Sequence, residues 1–208
     1  MTSKTKILQA LEEILLTKGA GAVSVRHVCQ QAGVNHGLVP HYFGNKEGML
    51  KAGLKFIADR KIKRLLEAVQ NGGPETMVVN FTDALAKDKQ FSKVLIEFHL
   101  LAGQSEVLAE ALAAVFASRT VLLMTAFGLD RPTALFFQSS IIGIQVMRST
   151  CGQEYVEMAA QRLSKEFLSV SDISPESIQS ALQMIETTAG KGLPGVDEPM
   201  ENLPGDQT

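Results

Sequence analysis

Residues 24–50 hold a group of side chains whose types suit hydrogen bonding to nucleic acid. Guanidinium and ammonium groups donate hydrogen bonds to phosphate oxygens, while amide, imidazole and hydroxyl groups also reach the edges of bases. The candidate contacts are Arg26, Asn35, His36, Gly37, Leu38, His41, Tyr42 and Lys46. Most of them are predicted to face outward near the N-terminus of a short helix, where the helix dipole and free backbone N–H groups favour phosphate.

The elements that position these side chains are predicted to form a helix, a tight turn and a second, shorter helix. Ser24 suits the N-cap of a helix that ends at Ala32-Gly33, because glycine adopts the left-handed backbone that the turn requires. Asn35 is expected to cap the short helix, and Asn45 a longer helix that begins at Lys46. The small core between them is predicted to contain Val28, Cys29, Val34, Val39 and Phe43. This order of parts aims a short helix into the DNA major groove.

Charge is unevenly distributed along the chain, although the net charge of all 208 residues is only −2. Residues 1–64 contain 11 Lys and Arg against 4 Asp and Glu, a net charge of +7, and three of the four His. The remaining residues contain 9 basic and 18 acidic side chains, a net charge of −9. This asymmetry favours a polyanionic partner at the N-terminal end. A solvated basic surface is the common alternative, so charge alone does not decide.

No catalytic or metal-binding group is evident in the sequence. The four histidines (His27, His36, His41 and His99) lack Cys, Asp or Glu partners at the spacing of metal ligands, and no G-x-S-x-G, P-loop or G-x-G-x-x-G motif is present. Cys29 is predicted to be a small buried hydrophobe rather than a redox switch. We therefore expect no enzymatic activity, no cofactor and no metal.

The sequence also indicates the compartment. Cys29 and Cys151 lie far apart without a CxxC spacing, which suits a reducing cytoplasm. Acidic residues interrupt the N-terminal segment where an export signal needs an apolar run. The apolar run at residues 132–147 contains no charged side chain, but it is too short and too polar to span a bilayer. A cytoplasmic location and no membrane partner are expected.

Apolar residues recur at helical spacing throughout the chain, so the predicted fold class is all-α. The N-terminal helix-turn-helix domain is expected at 1–48, and a second helical domain at 49–188. A helix over 46–70 is expected to link them and to end at the break Asn71-Gly72-Gly73-Pro74. Further helices are predicted at 75–88, 90–102, 105–127, 132–150, 154–170 and 175–187. Residues 189–208 are rich in Gly, Pro and acids, and are predicted to be a disordered tail.

The motif resembles the N-terminal DNA-binding region of the TetR (tetracycline repressor-like) family of bacterial regulators. The matching string is S-V-R-x-V-x-x-x-A-G-V-N-x-G-x-V-x-x-Y-F-x-N-K-E-x-x-L, from Ser24 to Leu50. The resemblance is specific over roughly the first 65 residues and only architectural beyond them. It implies a homodimer whose first three helices bind operator DNA. The longer helices behind them would hold a ligand pocket and the dimer interface.

Two residues depart from the family pattern. Pro40 stands where an aromatic residue is usual, and it cannot donate a hydrogen bond to the His36 carbonyl. We predict that the short helix is tightened or bent at its first turn and that one aromatic contact to DNA is lost. Leu38 stands where a hydroxyl is common. It could pack on a thymine methyl group, or simply be a tolerated exposed leucine.

The resemblance also favours a ligand pocket and a dimer interface in the C-terminal region, where Met and Phe could equally form an ordinary core. The residues proposed to line the pocket are Phe81, Phe98, His99, Met124, Phe127, Phe137 and Gln138. The residues proposed for the interface are Phe136, Ile141, Ile144, Met147, Tyr155, Met158, Leu163 and Phe167. In the family, the corresponding helix pair forms a four-helix interface across a two-fold axis.

These observations predict a homodimeric, DNA-binding transcriptional regulator with a double-stranded DNA operator. It is expected to be a repressor, released from a palindromic operator by a small, mostly apolar effector. One alternative is a helical enzyme or small-molecule-binding protein that uses the C-terminal cavity. Another is a DNA-binding protein with little sequence preference. Operator binding distinguishes a regulator from a helical enzyme or small-molecule-binding protein. Equal affinity for operator-like and random duplexes would favour the DNA-binding protein with little sequence preference.

Overall fold

The computed structural model describes the backbone of residues 1–87, 89–148 and 150–187, and their side chains except at 65, 69 and 73–92. Every regular element in these residues is helical, so the predicted all-α fold is confirmed. The tail predicted at 189–208 lies outside the described residues. The helices are α1 (Ser3–Lys18), α2 (Val25–Ala32), α3 (Leu38–Phe43), α4 (Lys46–Lys87), α5 (Lys89–Ala102), α6 (Glu106–Phe127), α7 (Arg131–Met147), α8 (Gln153–Val170) and α9 (Pro175–Thr187). A short 3-10 turn, Ala20–Ala22, joins α1 to α2.

The predicted break at residues 71–74 is wrong, because α4 continues through it to Lys87. Glycine and proline in a helix interior cost roughly 1 and 3 kcal/mol relative to alanine, so the sequence locally favours an end there. Packing on the preceding turns opposes this preference. Leu66 is fully buried, and the Gln70 side-chain amide donates to the Gln179 Oε1 of α9 at 2.8 Å. Tertiary contacts of this kind routinely outweigh local propensity.

The chain divides into two compact units. The first contains Met1–Arg60 and Gln90–Val115, and the second contains Lys61–Lys89 and the residues from Phe116 onward. Helices α4 and α6 therefore each contribute to both units.

The core of the first unit is built around α1. Its stripe of Ile7, Leu11, Ile14 and Leu15 is completely buried, as the helical spacing predicts. Helix α1 packs mainly on α2 and also contacts α3. Buried residues of the same unit include Val28, Met49, Leu54, Ile57, Val94, Leu95, Phe98 and Leu108.

The second unit has one continuous apolar core drawn from α4 and from α6 to α9. Phe127 and Phe137 each make an edge-to-face contact with Phe167 at 4.9 Å between ring centroids. The backbone N–H of Asp172 donates to the Phe127 carbonyl at 2.8 Å, and the Ser177 hydroxyl donates to the Ala126 carbonyl at 2.9 Å. These bonds hold the end of α6 against the start of α9.

Helix α6 is long and apolar enough to cross a membrane by length and composition alone. Central helices of water-soluble domains pass the same test, and 39% of the relevant 18-residue window of α6 is buried inside the protein. Phe127, at its end, lies in the aromatic core of the second unit. We therefore interpret the C-terminal part of α6 as part of that core, which also contains Leu122, Leu123 and Ala126.

The left-handed turn at Gly33 offers a direct test of the fold. Gly33 has φ +64°, and a Cβ there would meet no atom within 4 Å, so Gly33→Ala introduces backbone strain without a steric clash. We expect it to lower the free energy of unfolding by about 1 kcal/mol, read from the urea midpoint. Gly21→Ala is the matched control, because Gly21 has equally open space and no positive φ. Equal effects of the two substitutions would contradict this account of the turn.

Candidate nucleic-acid interface

Helix α2 begins and ends as its sequence predicts. Ser24 Oγ accepts a hydrogen bond from the His27 backbone N–H at 3.2 Å, which confirms the N-cap. At the other end, the Gly33 N–H donates to the Gln30 carbonyl and the Val34 N–H to the Cys29 carbonyl. This pair of bonds is characteristic of a glycine C-cap. The chain therefore leaves α2 in a defined direction, with Val28 and Cys29 buried beneath it.

One side-chain bond holds the turn before α3, and its backbone bonds close three residues back rather than four. The Asn35 side-chain carbonyl accepts from the Gly37 N–H at 2.8 Å, and its backbone carbonyl accepts from the Leu38 N–H at 3.1 Å. Asn35 thus caps the turn, and regular helix begins only at Leu38, later than a cap at Asn35 would place it.

Pro40 explains the tight geometry of the same turn. The His36 carbonyl accepts from the Val39 N–H at 3.2 Å, since Pro40 at the next position has no N–H to offer. The predicted tightening of the first turn is therefore confirmed. With His36 bonded in this way, regular helix begins only at Leu38 and Pro40 becomes its third residue. At that position a helix requires no backbone N–H, so no further hydrogen bond is lost.

The burial pattern of α3 gives it an inner and an outer side. Val39 is buried in the first unit, while Pro40 and His41 are exposed. Leu38, Tyr42 and Phe43 are half-buried, and the ring of Tyr42 lies edge-on to those of His41 and Phe43. The remaining sequence-predicted contacts are all exposed: Arg26, Asn35, His36, Gly37 and Lys46.

The start of α4 is held close to the end of α3. Asn45 Oδ1 accepts from the Gly48 N–H at 2.8 Å, which confirms the predicted cap. A Cβ on Gly48 would lie 2.0 Å from the Phe43 carbonyl oxygen, so only glycine fits at this position. These contacts therefore hold Lys46 about one turn from the end of α3.

Lys4 is a candidate contact that sequence reasoning did not single out. Its ammonium lies 5.9 Å from the centre of the Phe43 ring, so the first turn of α1 brings a positive charge to the end of α3. Lys4 is exposed and belongs to the basic N-terminal segment, which was the only signal available in the sequence.

Several acidic side chains of the first unit hold its elements together. Glu97 on α5 accepts a hydrogen bond from the backbone N–H of Ala20, in the turn between α1 and α2. Glu12 pairs with Arg60, and Glu47 accepts from the Ser105 hydroxyl at 2.8 Å. By contrast, within the described part of the chain no carboxylate lies at ion-pair distance from Arg26, Lys4 or Lys46. In the described residues these three cations near α3 therefore form no ion pair with a carboxylate.

Cys29, His27 and His99 are each buried by or close to other groups of the first unit. Cys29 is buried, and burial raises the pKa of its thiol, which lowers the thiolate fraction at neutral pH. His27 Nδ1 lies 3.2 Å from the Ala22 carbonyl, and His99 Nδ1 lies 2.7 Å from the Leu95 carbonyl. Within the described residues, no group of three His, Cys, Asp or Glu could hold a metal ion.

The proposed pocket residues fall in both units. Phe98 and His99 belong to the first unit, and Met124, Phe127, Phe137 and Gln138 to the second; the side chain of Phe81 lies outside the described residues. Phe127 and Phe137 are packed with Phe167 in the core of the second unit. The assignment of these residues to a pocket stays a prediction.

The proposed interface residues of α7 and α8 divide into two sets. Phe136, Met147, Tyr155 and Met158 are 58%, 47%, 64% and 51% exposed. The other four are buried in the core of their own unit: Ile141, Ile144, Leu163 and Phe167. A partner subunit can cover only the four exposed residues, so the predicted dimer interface is reduced to these four. Leu135 and Val146 are exposed apolar residues on α7 that the sequence prediction did not include.

Comparison with known proteins supports the resemblance inferred from the motif. Residues 7–52 match the model of the bacterial regulatory proteins of the tetR family. A transcriptional repressor of the HTH type from Mycobacterium tuberculosis strain H37Rv is 37% identical over 62 residues. That alignment covers 30% of this chain and 32% of the relative, so the chain matches about a third of the relative's length.

Solved structures extend the likeness beyond the N-terminal domain. A transcriptional regulator from Rhodococcus sp. Rha1 is 24% identical with a TM-score of 0.61, over 84% of this chain and 100% of the other. A TetR-family transcriptional regulator from Rhodococcus sp. is 20% identical with a TM-score of 0.65, over 83% and 100% of the two chains. At these identities the comparison establishes the fold.

The fold and the N-terminal site together define a protein that is helical throughout its described elements and carries a helix-turn-helix domain. That domain is similar to the N-terminal domain of the tetR family of bacterial regulatory proteins over residues 7–52.

Proposed function

We propose that this protein is a cytoplasmic, DNA-binding transcriptional regulator that acts as a homodimer. Each protomer places residues 35–42 in a major groove, so that the two half-sites of a near-palindrome are bound together. The regulator is a repressor, and a small effector bound in the C-terminal region releases it from its operator. The proposed regulator has neither a membrane partner nor an enzymatic activity.

The observation that carries the proposal is the orientation of α3. Val39 secures the helix in the first unit, and the exposed side chains of Asn35, His36 and His41 lie on its outer side. Because this helix is already ordered, it does not lose conformational entropy through ordering when its hydrogen-bonding groups contact DNA. Asn and His side chains can bond to base edges in the major groove.

The cations around α3 suit the DNA backbone. Arg26, Tyr42 and Lys46 are proposed phosphate contacts, and Lys4 extends the same set from the first turn of α1. Arg26 and Lys46 are exposed, and among the described residues no carboxylate lies at ion-pair distance from either, in contrast to Lys55, which pairs with Asp59 at 2.8 Å. Phosphate oxygens of DNA would accept hydrogen bonds from the Arg26 and Lys46 side chains. Binding that rests on such contacts weakens with salt.

Leu38 and Pro40 give the outer side of α3 an apolar component. Leu38 is half-buried and Pro40 is exposed. Leu38 could contact a thymine methyl group in the groove, or pack only against its own domain. Pro40 replaces the aromatic contact usual in the family with a smaller ring.

The DNA-binding proposal is tested with a labelled duplex taken from the region upstream of the protein's own gene. We expect the logarithm of the affinity to fall linearly with the logarithm of salt concentration, with a slope that reports several phosphate contacts. The double variant His36→Ala, Lys46→Ala should lose at least about tenfold in affinity, and the magnitude of its salt slope should fall by about 1.

Lys165→Ala is the matched control, because Lys165 is an exposed lysine on α8, in the other unit. It should bind like the unmodified protein. Affinity that does not depend on salt, or that is unchanged in the double variant, would refute the site. Equal affinity for a random duplex would instead favour the low-specificity alternative.

The proposed dimer interface is the exposed apolar surface of α7 and α8, which we define as Phe136, Met147, Tyr155 and Met158. The two helices pack against each other, so these residues belong to one rigid pair. Gly143 on α7 is exposed, and a Cβ there would meet nothing within 4 Å, which leaves room for a second helix to approach closely. Exposed apolar side chains that gather on one surface usually mark an interaction site, whereas single ones do not. A two-fold axis would pair this surface with itself.

Charged substitutions within the α7–α8 surface should convert the dimer to a monomer. We expect Phe136→Asp, Tyr155→Asp to do so at micromolar concentration in sedimentation velocity, because a carboxylate buried in an apolar interface is strongly unfavourable. Leu100→Asp is the control: Leu100 is an exposed apolar residue of α5 in the other unit, and its replacement should leave the dimer intact. A dimer that survives the double substitution would contradict the proposed interface.

Release by an effector follows from linkage between the two binding events. An effector dissociates the complex only if it binds a DNA-incompetent state of the dimer more tightly than the DNA-bound state. A mostly apolar effector fits the Met-rich and Phe-rich composition of the C-terminal region. The residues proposed to line its pocket are those named from the sequence.

A further inference from the structure

Helix α5 and the turn that follows it are joined to the helix-turn-helix domain by two carboxylate hydrogen bonds. Glu97, on α5, accepts from the backbone N–H of Ala20, 77 positions earlier in the chain. The Ser105 hydroxyl, directly before α6, donates to Glu47 Oε1 at 2.8 Å, 58 positions earlier. All four residues belong to the first unit. The two bonds bracket α2 and α3 along the chain, because Ala20 precedes α2 and Glu47 follows α3.

The Glu97 carboxylate is held firmly at the turn between α1 and α2. Its side chain is 24% exposed, and its neighbours Val94 and Phe98 on α5 are buried in the core of the first unit. The Lys93 ammonium lies one helical turn earlier, 3.8 Å from Glu97 Oε1. A hydrogen bond from a backbone N–H to a carboxylate is charge-assisted, and partial exclusion of water strengthens it further.

Gly19 leaves room for this carboxylate. A Cβ at Gly19 would lie 2.5 Å from Glu97 Oε1, so a larger residue would displace it. The Gly19 N–H donates to the Ile14 and Leu15 carbonyls, which fixes the end of α1. The next N–H, that of Ala20, opens the 3-10 turn and donates to α5. Helix α5 therefore helps to fix the point from which the chain enters α2.

Ser105 has two roles at the start of α6. Its hydroxyl accepts from the Leu108 N–H at 3.4 Å and its backbone carbonyl accepts from the Ala109 N–H at 2.9 Å, as expected of a residue that caps a helix. The same hydroxyl donates its own hydrogen to Glu47. Asn45 caps α4 two residues before Glu47, so the first turns of α4 and α6 are joined.

Reading of bases requires α3 to be oriented accurately. Hydrogen bonds to base edges need donor–acceptor distances near 3 Å, and the groups of a binding site must be held within about 0.5 Å. Phosphate contacts from long basic side chains carry no sequence information and are largely electrostatic. Within α3, Val39 is the buried residue. A single buried side chain leaves rotation about it unrestrained, so attachments on both sides of α2 and α3 are needed to fix the angle.

We propose that Glu97 and Glu47 are positioning residues for DNA recognition. Bonded to Ala20 and Ser105, they hold the helix-turn-helix domain at two points and fix the angle at which α3 enters the groove. Neither carboxylate touches DNA in this arrangement. The inference rests on the proposed DNA-binding function and deepens it, because it assigns part of the operator specificity to α5 and the start of α6, outside the helix-turn-helix domain.

Matched pairs of variants separate each bond from its charge. Glu97→Gln and Glu97→Ala remove the same charge, but only glutamine keeps an acceptor for the Ala20 N–H; Glu47→Gln and Glu47→Ala form the second pair. The full-length proteins are titrated with the duplex upstream of the protein's own gene and with a random duplex of equal length. In each pair, alanine should lower the ratio of the two affinities about fivefold relative to glutamine, the typical net value of one hydrogen bond. Affinities for the random duplex should agree within about twofold.

Glu166→Gln and Glu166→Ala are the control pair, because Glu166 accepts from Arg162 at 2.8 Å on α8, in the other unit. The two control variants should have equal affinity ratios. Equal ratios within the Glu97 and Glu47 pairs would overturn the proposal. An equal loss of affinity for both duplexes in the alanine variants would also overturn it, since that result means a general loss of folded domain.

Amide hydrogen exchange of the free protein tests the same claim without DNA. Relative to Glu97→Gln, Glu97→Ala should accelerate exchange about fivefold at Ala20 and also at Leu38 and Val39, whose N–H groups form the turn before α3. Exchange in α9, which lies in the other unit, should not change. Faster exchange at Ala20 alone would overturn the proposal. If the unmodified protein does not distinguish the two duplexes, the proposed function is wrong, and the exchange result alone decides whether these bonds hold α3.

Discussion

The packing of α3 within the first unit determines which side chains of the helix-turn-helix domain face outward. A helix of six residues is far too short to be stable alone, so its position comes from its neighbours. The glycine cap at Gly33 sets the direction in which the chain leaves α2, and the burial of Val39 selects the side of α3 that faces inward. Together they leave Asn35, His36 and His41 on the outer side.

The polar groups of the two units have different roles. In the first unit, Glu12, Glu47 and Glu97 bond to other elements of the same unit, and within the described residues no carboxylate lies at ion-pair distance from Lys4, Arg26 or Lys46. In the second unit, hydrogen bonds from the Thr120 hydroxyl to Gln138 Oε1 and from Gln138 Nε2 to the Phe116 carbonyl join α6 to α7. Positive charge at the surface suits a large polyanion in water.

Local signals accounted for most of the successful sequence predictions. The caps at Ser24 and Asn45 and the turn at Gly33 depend on residues only a few positions away, and Pro40 tightens α3 through its own missing N–H. Continuation of α4 past residue 71 could not be predicted, since its supports lie on α9 and in the core. Lys4 was missed for the same reason: the role of a cation depends on what lies near it in space, which spacing along the chain does not reveal.

Sequence reading by α3 can be tested by selecting bound sequences from a pool of random duplexes with the full-length protein. We expect enrichment of a near-palindrome whose half-site centres lie about one helical turn of DNA apart, or a multiple of that distance. The His36→Ala protein should select a motif that is relaxed in the same positions of both half-sites. Recovery of no motif, or of one that His36→Ala leaves unchanged, would contradict the claim that α3 reads operator sequence.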